Sequence, residues 1–513
     1  MATNSTSITG SKAGITIAVM FAALMAFLDI SIVNVALSDI RASFGTPLDQ
    51  IGWVSTGYMM ANVVVIPMTG WFQRRFGYKR YFTASILVFT AASVLCGMAW
   101  SLPSMVAFRI LQGLGGGAII PTAQSVLFAR YPREEHSMAG GLFGLGAVTG
   151  PLLGPAVGGW LIDIASWHWI FLVNLPIGLI AAALAWRFIE EPGFTPSRDR
   201  IDTFGISLLA VGMPSLQYVL EEGNRDGWDD PQILALAAVA AIALITFVVH
   251  ELEVVSPVVD LRVFANRSYT AGTGINFLLG VALFSGSYLF SLYCGVVMRY
   301  TALDIGKVFL VAGLLQIVMM PLLGRFSGGF DGRKLVAFGI GVACLSLWMN
   351  GHLTSQASFW DLTRPQMVRA FGLGFIFIPL SVIALSDLSA EQRGNATGLF
   401  NLTRELGGSI GTAWMGMRLD DQTKLFTSRL SESVTVYNPI AQEQLAQLRG
   451  VATGLADPTA GAISILGLRV QVQALIKAFN DGFLAVAALF AGGLVLVLLL
   501  KRPQPGLKIE GAH

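Results

Sequence analysis

Charge is scarce along this chain: Asp, Glu, Lys and Arg together make up 12% of 513 residues, against roughly 25% in a soluble domain. That scarcity excludes an ordinary water-facing surface. The formal net charge of +2 excludes the basic excess of a nucleic-acid binder, so no nucleic-acid partner is expected. Cysteine is scarcer still. Cys96, Cys294 and Cys344 fall inside apolar runs with no CxxC or metal-ligand spacing, which argues against a disulfide framework and against a metal centre. No HExxH, GxSxG or GxxxxGK[ST] pattern occurs, and His136, His168, His250, His352 and His513 sit mostly at loops or ends of apolar runs. A membrane-embedded enzyme and an ATP-driven pump are therefore disfavoured, and no cofactor is expected. A signal peptide is also not expected, because the first apolar stretch follows Lys12, contains Asp29 and lacks a small-residue cleavage pattern.

What the chain has is hydrophobic length: 54% of its residues are apolar. A hydrocarbon core about 30 Å thick needs about 20 helical residues, and such stretches recur. They are expected at about 14–37, 51–73, 80–99, 103–127, 138–162, 168–188, 202–220, 231–250, 270–296, 304–326, 334–352, 366–386, 396–417 and 480–500. The runs are continuously apolar, with no ten-residue alternation, so an all-α membrane protein of fourteen helices is expected rather than a barrel. Membrane lipid is its main partner. Basic residues mark one side: Arg74, Arg75, Lys79 and Arg80 follow the second span, Arg130 and Arg133 the fourth, and Arg325, Arg333 and Lys334 the tenth. The positive-inside rule then puts both termini in the cytoplasm of a multi-pass inner-membrane protein.

An internal repeat sets the architecture. AGGLFGLGAVTGPLLG from Ala139 and ATGLFNLTRELGGSIG from Ala396 agree at seven of sixteen positions. PMTGWFQRRFGYKR from Pro67 and PLLGRFSGGFDGRK from Pro321 form a second pair at nearly the same offset. The second and fifth spans thus correspond to the tenth and thirteenth, which gives two six-helix halves with two spans inserted between them. The expected boundaries are 1–200, 201–268 and 269–513. Within the last, a polar excursion over 418–479 is expected to hold two helical pieces, near 440–455 and 463–479, separated by GLADPTAG. It is either a surface cap or a docking surface.

Ionisable groups inside a membrane cost about 2.5–3.5 kcal/mol each, so every one is a candidate site. Asp29 in the first span and Arg109 in the fourth both lie about 10 Å below the same boundary, at about 1.5 Å per residue. They are expected to pair or to share a polar network with Asn34 and Gln112, either as a proton-coupling pair or as a static lock. Arg404 and Glu405 fall near the midplane of the thirteenth span. Glu405 stands where the repeat partner has Val148, so the repeat does not require a charge there, and Glu405 is expected to be a second proton or cation site, with Asn34, Gln112 and Arg404 at the substrate cavity. In the fifth span Gly146, Gly150, Gly154 and Gly158 recur every four residues, interrupted by Pro151 and Pro155, so one helix face is nearly bare backbone.

Four segments in order carry a resemblance: LDISIVNVAL from Leu28, RILQGLGGG from Arg109, GPLLGPAVGG from Gly150 to Gly159, and WHWIFLVNLPIG from Trp167. With them the chain resembles the fourteen-helix drug:proton antiporters of the major facilitator superfamily, over nearly its whole length. The resemblance implies export of hydrophobic, drug-like molecules driven by the proton gradient, with Asp29, Arg109 and Glu405 in coupling. It also implies an antiporter motif at Gly150–Gly159, and a periplasmic adaptor and an outer-membrane channel as partners, with 418–479 as the contact. One segment departs from the superfamily pattern: in the loop after the second span, Gly70 is followed four positions on by Arg74 where an acid is usual, although Arg75 and Gly77 fit. An importer or facilitator on the same fold is the alternative, since twofold helical halves do not specify direction.

Overall fold

A computed structural model describes residues 8, 10–47, 50–132, 135–196, 202–326, 330–386, 388–432, 434–435, 437–451 and 457–501. The N-terminal half consists of α1 (Lys12–Phe44), α2 (Trp53–Phe76), α3 (Tyr78–Gly97), α4 (Leu102–Arg130), α5 (His136–Ile164), and the pair α6 (Trp169–Leu172) and α7 (Asn174–Phe188). Two inserted helices follow, α8 (Thr203–Asp226) and α9 (Pro231–Glu253). The C-terminal half consists of α10 (Arg267–Val296), α11 (Ala302–Phe326), α12 (Gly332–Asn350), α13 (Phe359–Ser386), α14 (Ala390–Glu432), α15 (Pro439–Val451), α16 (Pro458–Ala491) and α17 (Gly493–Val497).

Among the described residues, eleven helices are long and apolar enough to cross a membrane. Three of the fourteen expected spans, α2, α5 and α14, are not among those eleven but have comparable length and lie in sequence between qualifying helices, so the count of fourteen is compatible with the structure. The outward side chains of α9, such as Ile242 at 68% and Ile245 at 66% exposed, form a surface that only lipid satisfies.

Helix ends follow local chemistry. Ser101 caps α4 reciprocally with Ser104, Asp230 accepts from the backbone of Gln232 and Ile233 at the start of α9, and Gly45 ends α1 in the left-handed region. The sixth span is met at Trp169–Phe188: α6 and α7 run on with a one-residue turn at Val173, whose backbone stays helical, and Pro176, which lacks an amide donor, follows three residues later. One expectation needs refinement. In the excursion 418–479 the two expected helical pieces are present, as α15 and the first part of α16, but both neighbouring spans extend into it. α14 continues through 43 residues to Glu432, and α16 runs unbroken from Pro458 into the last span. At about 1.5 Å per residue α14 is roughly 65 Å long, twice the hydrocarbon thickness, so its second half stands outside the bilayer. Polar composition marked departure from the membrane and was compatible with continued helix, supported by pairs such as Lys424 with Asp420 at 2.5 Å.

The halves approach each other at the face carrying Arg74, Arg75 and Arg130, here termed the basic face. A Cβ on Gly70 would fall on the backbone of Asn395, one on Gly398 would lie 2.6 Å from the Ile66 carbonyl, and one on Gly144 would lie 3.0 Å from Met320 Sδ. Toward the opposite face α8 stands between α2 and α14. The Tyr218 ring lies 5.5 Å from that of Trp53, Ser409 Oγ donates to Gln217 Oε1 at 3.1 Å, and Asn224 Nδ2 donates to the Ala413 carbonyl at 2.8 Å. Glu221 on the same helix interacts with Thr56 of α2 and with Gln217.

Candidate functional site: two sets of buried charges

In the N-terminal half the expected pair is formed and sealed. Arg109 Nη1 donates to Asp29 Oδ2 at 2.7 Å, with the two side chains 2% and 0% exposed. Gln112, one helical turn after Arg109, binds both partners: its Nε2 donates to Asp29 Oδ1 at 2.8 Å and its Oε1 accepts from Arg109 Nη1 at 2.7 Å. Arg109 Nε donates to the Val54 carbonyl at 2.9 Å, and the guanidinium lies over the Tyr58 ring at 4.4 Å. Asn174, at the turn between α6 and α7, adds a donor to Asp29 Oδ1 at 2.9 Å and a second to Ser93 Oγ at 3.0 Å. A buried ion pair is tolerable only when its remaining lone pairs and protons are also bound, and here Asp29 accepts three bonds from three side chains. The side chains of Asn34, Pro151 and Pro155 lie outside the described residues.

The glycine stripe of α5 packs onto α1 beside this pair. Added Cβ atoms at Gly146, Gly150 and Gly158 would meet Ala23, Phe27 and Ile32, and one at Gly154 would collide with Ser31. Gly159 faces open space and does not belong to the stripe. The stripe therefore serves helix approach within one half, against the two turns of α1 that flank Asp29.

The C-terminal half is different. Glu405 is half-buried, and its carboxylate forms no hydrogen bond or ion pair among the described residues. Its electrostatic neighbours are Arg404 on its own helix and Tyr58 of α2 across the interface. Arg404, turned about 100° away, donates to Asn401 Oδ1 at 2.9 Å and lies over the Phe377 ring at 5.5 Å. Asn401 Nδ2 in turn donates to Gln124 Oε1 of α4 at 2.9 Å, so a polar chain crosses between the halves.

At the basic face Gly70 forms the α2–α14 contact described above, while Arg74 and Arg75 are half-buried in the last turn of α2. Gly77 has φ of +81°, which favours glycine, and it lies against Glu191. The Glu191 carboxylate accepts from the Tyr78 and Lys79 amides at 2.7 and 2.9 Å. Glu191, beyond the end of α7, thus caps the start of α3. Burial pushes the Glu191 carboxyl above its usual range, and the two amides with Lys79 and Arg80 pull it back.

Sequence reasoning missed Tyr58, Gln124, Asn174, Glu191 and Asn401. Asn174 was visible within WHWIFLVNLPIG, as was Asn401 within the repeat, but their partners are set by tertiary contacts that spacing does not encode. No group of three or more metal-ligating side chains occurs among the described residues.

Two six-helix halves apposed at one face, each carrying buried charge, form a membrane-transporter architecture. The Major Facilitator Superfamily pattern matches residues 19–412, and the chain belongs to that superfamily. It is 34% identical over 491 residues to the multidrug export protein EmrB of Haemophilus influenzae, covering 95% of this chain and 96% of the relative. To EmrB of Escherichia coli it is 34% identical over 490 residues, 95% of each chain, and to the colistin resistance protein EmrB of Acinetobacter baumannii 31% identical over 471 residues, 90% and 91%. These relatives support a multi-pass membrane transporter of the multidrug efflux type with small hydrophobic substrates. The fold is shared with the human organic anion transporter TETRAN, at 13% identity and a TM-score of 0.60 over 94% of this chain and 99% of the other. It is also shared with the proton:xylose symporter XylE, at 12% identity and 0.58 over 93% and 94%.

Proposed function

We propose that the chain exports hydrophobic, drug-like compounds across the inner membrane in exchange for protons, with no cofactor beyond the proton gradient and with both termini in the cytoplasm. The observation that carries the reading is Glu405: a carboxylate at membrane depth, half-open and without an ion-pair partner among the described residues, beside the interface of the two halves. An acid so placed changes charge when a substrate arrives or departs, and Asp29, held by Arg109, Gln112 and Asn174, becomes exchangeable only when α1 and α4 part. With the basic face in the cytoplasm, the close approach at Gly70–Asn395 lies on the cytoplasmic side.

The adaptor reading draws support from the extension. Tyr437 at 91%, Ile440 at 71% and Leu468 at 61% exposed stand on the parts of the chain that project beyond the bilayer, where lipid does not cover them. A periplasmic adaptor and an outer-membrane channel would then complete a tripartite path.

The test is transport of the fluorescent hydrophobic cation ethidium in proteoliposomes with an imposed pH gradient. Gradient-dependent accumulation that collapses with a protonophore is expected; no gradient dependence for ethidium or any other hydrophobic compound tried would remove the antiport reading. Replacing 430–470 by a Gly/Ser linker should spare that transport and abolish resistance in cells with two membranes. Equal loss in both assays would make the extension part of the transport fold.

A further inference from the structure

The two halves place corresponding helices together, but the pair of charges is completed in only one of them. In the N-terminal half the first helix, α1, presents Asp29 to Arg109 on the fourth helix, α4. In the C-terminal half the first helix, α10, presents Gly286 and Ser287 to Arg369 on the fourth helix, α13: Arg369 Nη1 donates to Ser287 Oγ at 3.0 Å, and a Cβ on Gly286 would lie 3.8 Å from the same nitrogen. Arg369 stands ten residues inside the outer end of α13 at Phe359, about 15 Å deep. No carboxylate acts on it among the described residues. Asp361, the nearest acid along α13, is two turns outward and accepts from the Ser358 hydroxyl at 2.7 Å. The guanidinium lies over the Phe309 ring at 5.6 Å, and Phe309 packs edge-on against Phe290 at 5.4 Å. Both Arg369 and Phe309 are half-buried.

An arginine at this depth keeps its charge, and with five donors it has engaged one hydroxyl and one ring face. We propose that Arg369 is the head-group site for monoanionic amphiphiles: a carboxylate or sulfonate takes the place opposite Arg369 that Asp29 fills opposite Arg109, with its apolar body against Phe309. Ser287, beside Gly286 on the same helix, supplies a further donor. Glu405 receives cations and Arg369 receives anions, so the C-terminal half sorts substrates by charge. The inference rests on the transport reading above and concerns its substrate class.

The experiment is pH-gradient-driven transport of two probes, 1-pyrenesulfonate and ethidium, by the full chain in proteoliposomes. Arg369→Gln removes the charged donors and is expected to lower pyrenesulfonate transport about tenfold or more, the size of a lost charge-assisted hydrogen bond, while ethidium stays within about twofold. Arg369→Lys retains a point charge and is expected to keep pyrenesulfonate transport within about threefold. Ser287→Asp supplies the acid that the half lacks and is expected to exclude pyrenesulfonate without loss of folding or of ethidium transport. Unchanged ethidium transport in each variant reports an intact protein. Equal loss of both probes in Arg369→Gln, unaltered pyrenesulfonate transport in that variant, or wild-type protein that moves ethidium but not pyrenesulfonate overturns the anion site while leaving the antiport reading intact. Wild-type protein that moves neither probe removes both.

Discussion

The two halves have corresponding helices and opposite electrostatic economies. Around Arg109 the N-terminal half supplies a carboxylate, an amide, a backbone carbonyl and a tyrosine face, all excluded from solvent. Around Arg369, Arg404 and Glu405 the C-terminal half leaves charges half-open and, among the described residues, without opposite partners at bonding distance. On the proposed antiport reading, the closed pair is the rigid reference and the half-open charges are the reactive groups. A paired buried charge resists change, whereas an unpaired one gains free energy from whatever proton or ligand arrives.

The largest expected effect breaks the closed side. Arg109→Ala leaves Asp29 buried with no counter-charge, so transport is expected to vanish and thermal stability in detergent to fall by about 3–5 kcal/mol. Arg369→Ala should leave stability within about 1 kcal/mol, because no carboxylate loses a partner. Equal melting losses in the two variants would erase the contrast between the halves. Next in size, Glu405→Gln keeps shape and hydrogen bonding but cannot exchange a proton. Gradient-driven ethidium accumulation should drop about tenfold or more, with the melting temperature unchanged and ethidium binding retained. Unimpaired accumulation in that variant would move the coupling site elsewhere.

Smaller effects lie between and beneath the halves. Asn224→Ala removes the bond from α8 to the Ala413 carbonyl, and the expected cost is about 1 kcal/mol, read as greater maleimide labelling of a cysteine placed at Ser409. No change in labelling would make α8 a passive neighbour. The smallest is at Glu191. Its carboxyl lies above its ordinary range, so the folded protein holds that proton to higher pH than the unfolded chain does. Stability should therefore decline as pH rises from the unfolded value through the folded one, and Glu191→Gln should flatten that decline in melts taken across the acidic range. An unaltered slope would show that Glu191 does not titrate there.

Much of this was legible before any coordinates. The helical class, the repeat, and the meeting of Asp29, Arg109 and Gln112 follow from hydrophobic length, internal similarity and equal depth in two spans. Glu405 was found because its repeat partner is Val148. The rest depends on quantities a single chain does not carry. Nothing in α8 signals that its Gln217 and Asn224 meet α14, since the rotation and tilt of an inserted helix are set by its neighbours. Arg369 was overlooked for a related reason: an arginine becomes notable only when the helix opposite it is known to offer Gly286 and Ser287 in place of an acid. The turn at Val173 that delivers Asn174 to Asp29 lies inside a run whose hydropathy is uninterrupted. The helical extension was hidden by composition, because polarity distinguishes water from lipid but not helix from loop.

The central claim, that Glu405 carries the exchangeable proton while Asp29 is held closed by Arg109, is tested most directly by proton release on ethidium addition to detergent-solubilised protein in weak buffer. The account predicts release from the wild type, none from Glu405→Gln, and release retained in Asp29→Asn; release from Glu405→Gln equal to that of the wild type would contradict it.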